Sequence, residues 1–319
     1  MTSSLPRALA LVGPTAAGKS RLGLAIAERF GVPILCCDSV QVYRGLDIGS
    51  AKPSAAERAR VRHELLDLVD PDQRFSAGDY ATLAHRALER GPGLFVGGTG
   101  FYLRSAAWTA SGGEEGDADP AAREAFMAQW ESAEARTPGV IHAELTRRDP
   151  ETAAEIHLRN CVRALRALWL CEVYGRPVSA VRREDPPRLR VDLGLIVLDP
   201  GVAIVDAAID RRCESMLAAG WLGEVEKLLR AGYDARHKAM RSLGYHQLLG
   251  VAEGRTDLPA AAASIMAETR RYARRQRTYF RTQLPAPWRV DIDDPAAAPW
   301  EAIGRFLAGG SAALRGGEL

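Results

Sequence analysis

Apolar positions along the chain fall into two kinds of run, and their order predicts the fold. Short unbroken runs at Ala8–Val12, Val32–Cys37, Leu94–Val96 and Leu193–Leu198 have the length and composition of strands buried on both faces. Each is followed by a glycine or an aspartate: Gly13, Asp38, Gly97 and Asp199. After the first run, Arg21–Phe30 places Leu22, Ile26 and Phe30 on one helical face, and Gly31 stops it. Such alternation predicts an α/β fold with a parallel sheet, whose chemistry gathers beyond the carboxyl ends of the strands. From Pro120 to about Tyr174 the pattern is helical without a strand. The polar segments Ser111–Pro120 and Arg182–Pro187 read as boundaries. The expected organisation is a first part of the core in residues 1–114, a helical insertion in 115–185, and completion of the core in 186–319. After Leu198 the chain is expected to be helical to its end.

Composition narrows the class. The 319 residues are 47% apolar and 26% charged, an ordinary globular balance that excludes disordered, collagen-like and coiled-coil chains. No apolar run reaches the ~18 residues needed to span a membrane, and the start of the chain lacks a secretory signal pattern. The five cysteines show no CxxC pair or zinc-ligand spacing, so they read as reduced thiols in a cytoplasmic protein. Basic and acidic residues number 42 and 40, and the net +2 names no partner. Only Lys19, Lys52, Lys227 and Lys238 are lysines, so nearly all the positive charge is arginine. Arginine suits phosphate recognition, but coding bias also produces it, so its placement matters more than its amount.

The first strand runs into Gly13-Pro14-Thr15-Ala16-Ala17-Gly18-Lys19-Ser20, a GxxxxGK[ST] loop between a strand and a helix. Its amides curl around a diphosphate, Lys19 brings a positive charge, and Ser20 is placed to ligate Mg²⁺. The fold class is therefore a P-loop NTPase-like parallel sheet with a helical insertion domain and a helical C-terminal part. The loop fixes the anion and leaves the reaction open, ATP binding and nucleotide binding included. Asp38, after the second strand, faces the loop across the sheet edge as a metal ligand, a general base or a turn residue. Residues 264–290 carry seven arginines against Glu268 alone, a local +6. Arg270, Arg274, Arg277 and Arg281 share one helical face, opposite Ile265, Tyr272, Gln276 and Tyr279. That face is either a solvated surface or a phosphate-backbone contact, and Gln276 amid apolar residues needs a partner.

Several segments together resemble the tRNA dimethylallyltransferases (tRNA isopentenyltransferases, or IPP transferases). They are Asp38-Ser-Val-Gln41-Val-Tyr43 with Asp47-Ile-Gly49-Ser-Ala-Lys52-Pro53, then His63-Glu-Leu-Leu-Asp67 with Asp70-Pro71, and Gly97-Gly-Thr99-Gly-Phe-Tyr102. Arg163 with Arg166-Ala-Leu168, Arg212 with Met216 and Gly220, and Leu243-Gly-Tyr245 follow in family order. The last is Thr269-Arg-Arg-Tyr272-Ala-Arg-Arg-Gln276-Arg-Thr278-Tyr-Phe280-Arg281. Glu64, Trp169 and Leu158-Arg-Asn-Cys161 depart from the pattern and leave the RNA contacts of the insertion less defined.

The resemblance implies transfer of a dimethylallyl group from dimethylallyl diphosphate to the N6 amine of the adenosine 3′-adjacent to the anticodon, with diphosphate released. It implies Mg²⁺ as cofactor, a tRNA anticodon stem-loop as partner, and base flipping of the acceptor. The chemistry then casts Asp38 as general base, with Thr15, Lys19 and Arg212 on the leaving group. Gly13–Ser20 and Arg212 are the implied diphosphate site. Implied tRNA contacts are Asp38, Ser39, Val40, Gln41, Thr99, Val162, Arg163, Arg166, Arg241, Gly244 and Tyr245, with Arg123 beside them. The face of Arg270, Arg274, Arg277 and Arg281 adds backbone binding. For Gly97–Gly100, close packing and substrate contact are equally open. A monomer is expected. The alternatives are a P-loop nucleotide or nucleoside kinase, an adenylate isopentenyltransferase acting on free nucleotides, and a phosphate-loop RNA-binding regulator.

Overall fold

The computed structural model describes residues 5–109 and 119–309. Six parallel strands form one sheet in the order β3-β2-β4-β1-β5-β6. They are β1 (Arg7–Val12), β2 (Ile34–Cys37), β3 (His63–Glu64), β4 (Gly93–Gly97), β5 (Asp192–Leu198) and β6 (Trp288–Ile292). Leu11 of β1 lies between Val96 of β4 and Ile196 of β5. Ala8–Leu11 are fully buried, as an unbroken apolar run at the centre of a helix-covered sheet requires.

Both sheet edges correct the sequence reading. The chain does not run helical to its end after Leu198, because β6 follows, and β3 is a further strand. Edge strands need only one apolar side, so Arg289 and Asp291 in β6 break the continuous run that marks a central strand. The two-residue β3 is too short to leave a periodic signal.

The chain divides into two compact units: one formed by Met1–Ala107 and Arg190–Leu319, the other by Trp108–Leu189. The second spans a few residues more at each end than the 115–185 read from sequence. Within it, helices Val140–Arg148 and Cys161–Tyr174 share a core containing Ile141, Leu145, Leu165 and Leu168. Its buried Asp149 accepts bonds from Thr152 N, Thr152 Oγ1 and Ser179 N. Burial alone would raise this carboxyl's pKa; the hydrogen bonds outweigh it and lower it. Among the described residues no helix is long and apolar enough to cross a membrane, and the cysteines are free thiols.

Candidate active site

The phosphate loop connects β1 to the helix Lys19–Phe30. Gly18 caps this helix in the left-handed region at φ 94°, without a side-chain cap or an acidic residue in the first turn. The free amides and positive helix end are therefore left for an anion. Lys19 is buried and donates to Pro14 O at 2.6 Å. Burial, then the Arg212 charge, pull its pKa down to about 7, against the opposing pull of Asp38 and Cys37. Arg212 reaches in from the helix Val202–Ala218 and donates through Nη1 to Thr15 Oγ1 at 3.1 Å. Burial lowers its pKa, while Asp38 favours its charged form. Two cations thus converge on a loop with an uncapped helix end, an arrangement suited to an anion.

Gln276, from the long helix Leu258–Thr282, has the partner its sequence position demands. Its Oε1 accepts from Thr15 N and its Nε2 donates to Gly98 O, both at 2.8 Å. The side chain ties the phosphate loop to the turn after β4. A Cβ at position 98 would lie 2.2 Å from Gln276 Nε2, so a larger residue there would displace this amide from its hydrogen bonds. Packing likewise accounts for Gly97 against Cys37 O and Gly100 against Tyr279. Gly97 and Gly98 also line the cleft, so close packing and access to a ligand coexist there.

At the end of β2, Asp38 Oδ1 accepts from Val40 N at 2.8 Å and Gln41 N at 3.4 Å, forming a local turn. Thr99 fixes the next residue: Ser39 N donates to Thr99 Oγ1 at 3.0 Å, and Thr99 N donates to Cys37 O at 3.1 Å. Gln41 Nε2 donates to Ser50 O and Ala51 O, tying the segment after β2 to itself at the cleft.

These elements enclose a two-lobed cleft at the carboxyl edge of the sheet. Thr15, Asp38, Ser50, Arg212 and Tyr272 border both lobes. Lys19, Ser20 and Gln41 complete the implied set in the first lobe; Ala16, Ser39, Val40 and Arg241 do so in the second. Tyr272, Gln276 and Ser50 join the cleft without having been named as site residues from sequence. All three lie within the segments that carry the family resemblance, and the polar Gln276 on an apolar face was a further signal. Ser20 and Asp38 offer hard oxygen donors beside the loop. Among the described residues no cluster of three or more His, Cys, Asp or Glu could hold a metal by itself.

Some implied contacts take other places. Tyr245 is fully buried and its hydroxyl donates to Glu224, while buried Gly244 packs under Trp221, so both are part of the core scaffold. Arg270, Arg274 and Arg277 do not form an open basic face; they pair with Asp210, Asp206 and Asp199. Arg281 is exposed. In the other unit, Arg123 and Val162 are exposed, and Arg163 and Arg166 line a small pocket with Arg182.

The IPP transferase family model matches residues 41–283. The tRNA dimethylallyltransferase of Gloeobacter violaceus is 39% identical, covering 96% of this chain and all of its own. Among solved structures, the tRNA isopentenylpyrophosphate transferase of Bacillus halodurans is 31% identical with a TM-score of 0.65, covering 96% of each chain. A eukaryotic dimethylallyltransferase acting on tRNA shares the fold, with a TM-score of 0.77 at 21% identity over 95% of this chain and 80% of its own. The kinase alternative finds no support in these relatives. With a phosphate loop, an opposed aspartate and this likeness over nearly its whole length, the chain belongs to the IPP transferase family.

Proposed function

We propose that the protein transfers a dimethylallyl group from dimethylallyl diphosphate to N6 of the adenosine 3′-adjacent to the anticodon of tRNA, releasing diphosphate. The observation that carries this reading is the convergence of Asp38, Thr15, Lys19 and Arg212 on one cleft. The phosphate loop holds the diphosphate, with Lys19 and Arg212 balancing its charge. As the N6–carbon bond forms, the carbon–oxygen bond breaks and its electron pair stays on the departing diphosphate. Thr15 Oγ1, already held by Arg212, hydrogen-bonds the bridging oxygen. The adenine amine is a weak nucleophile, and Asp38 takes its proton. Ser20 would hold Mg²⁺, which would supply further counter-charge to the leaving diphosphate. The arginines Arg163 and Arg166, with Arg123, Val162, Arg241 and Arg281, are assigned to tRNA.

Asp38→Asn tests the assignment. Its amide keeps the turn's acceptor oxygen but is a far weaker base. Transfer should fall by roughly 10²–10⁴-fold, with tRNA affinity retained in a filter-binding titration. Normal turnover by this variant would remove Asp38 from the role.

A further inference from the structure

Glu224, in the helix Trp221–Arg230, lies outside the motifs singled out in the sequence, yet its carboxylate receives four hydrogen bonds. Oε2 accepts from Asp47 N at 2.9 Å and Ile48 N at 2.7 Å. Oε1 accepts from Gly49 N at 3.3 Å and from the Tyr245 hydroxyl at 2.7 Å. Three consecutive amides and a buried phenol therefore share one charged acceptor, the strong class of hydrogen bond. Trp221, one turn earlier, completes the clamp. A Cβ at Gly49 would lie 2.0 Å from its indole Nε1, and one at Gly244 would lie 2.1 Å from its Cη2.

The clamped segment forms part of the cleft. Gly49 and Ser50 border the second lobe together with Arg241, Ser242 and His246. Its far end is held by Lys52, which donates to Tyr43 O, Asp47 Oδ1 and Asp67 Oδ1 at 2.6–2.7 Å. Between the two anchors Ala51 has φ 51°, a conformation that a non-glycine residue keeps only when its surroundings impose it. The contacts of Glu224 do not include the phosphate loop.

We infer that Glu224 is a positioning residue for the acceptor side of the cleft. It fixes Asp47–Gly49 against its own helix so that Gly49 and Ser50 present a set wall to the incoming nucleoside. The inference rests on the prenyl-transfer reading for its kinetic consequence, but not for the anchoring itself.

Glu224→Gln keeps the size of the side chain and turns one acceptor oxygen into a donor facing amide donors. Amide hydrogen exchange at Asp47, Ile48 and Gly49 should accelerate by about tenfold or more, with exchange at Ala16–Ser20 unchanged. The KM for tRNA should rise about tenfold while that for dimethylallyl diphosphate stays within about twofold. Tyr245→Phe, which removes one bond and keeps the packing, should shift the tRNA KM the same way by less. Unchanged exchange at residues 47–49 would overturn the inference. So would kcat and both KM values deteriorating together in step with a fall in Tm. If the wild-type protein fails to prenylate tRNA, the reaction assignment falls, and the exchange measurement alone then decides whether Glu224 is the anchor.

Discussion

Lys19 illustrates what a buried ammonium beside a second cation costs the fold. Buried, and near Arg212, its ammonium has a folded-state pKa of about 7 against an ordinary 10.5. Between those values the unfolded chain binds more protons than the folded one, so this group makes stability rise with pH across that window. Its destabilising effect is full below about 7 and relieved towards 10.5. Lys19→Met should therefore raise Tm more at about pH 6 than at about pH 9, measured by thermal unfolding without ligand. A pH-independent difference would contradict the burial argument. Asp38, by comparison, takes the turn geometry that was one of its sequence readings and also lines the cleft.

At the scale of elements, the helix Leu258–Thr282 has three jobs that its sequence blends together. Ile265, Ala273 and Phe280 are buried, Gln276 braces the phosphate loop, and the arginines divide. Of the seven in residues 264–290, Arg270, Arg271, Arg274, Arg277 and Arg289 form ion pairs, leaving Arg275 and Arg281 without one among the described residues. Arg275 also borders the second lobe and lies over the Tyr272 ring, 5.7 Å from its centroid. Arg275→Ala and Arg281→Ala should each reduce the salt slope of tRNA binding by about 1 and leave Tm unchanged. Arg277→Ala should instead cost about 1–2 kcal/mol of stability by leaving Asp199 without its partner. Equal effects of all three on tRNA binding would restore the open basic face. Helical periodicity places the arginines on one side. It does not show Asp199, Asp206 and Asp210, which are distant in sequence and meet them only after folding.

For the molecule as a whole, legibility followed burial. Central strands buried on both faces were plain in the apolar pattern, whereas β3 and β6 at the edges were not. The phosphate loop and Asp38 were legible because each ends a central strand. Glu224 and Gln276 were not recognised as anchors, because their partners come from other elements. The local +6 near the end of the chain also changes meaning, since much of that charge is met by carboxylates beside it. Under the proposed function, tRNA contact falls to a few exposed arginines such as Arg281, together with those assigned in the helical unit.

The most direct test is to incubate the protein with Mg²⁺, dimethylallyl diphosphate labelled in its allyl group, and either tRNA or AMP, then digest the tRNA to nucleosides. Label should appear in tRNA as an N6-dimethylallyl adenosine at the position 3′ to the anticodon, and not in AMP. Label in AMP, or none in tRNA, would contradict the proposed reaction.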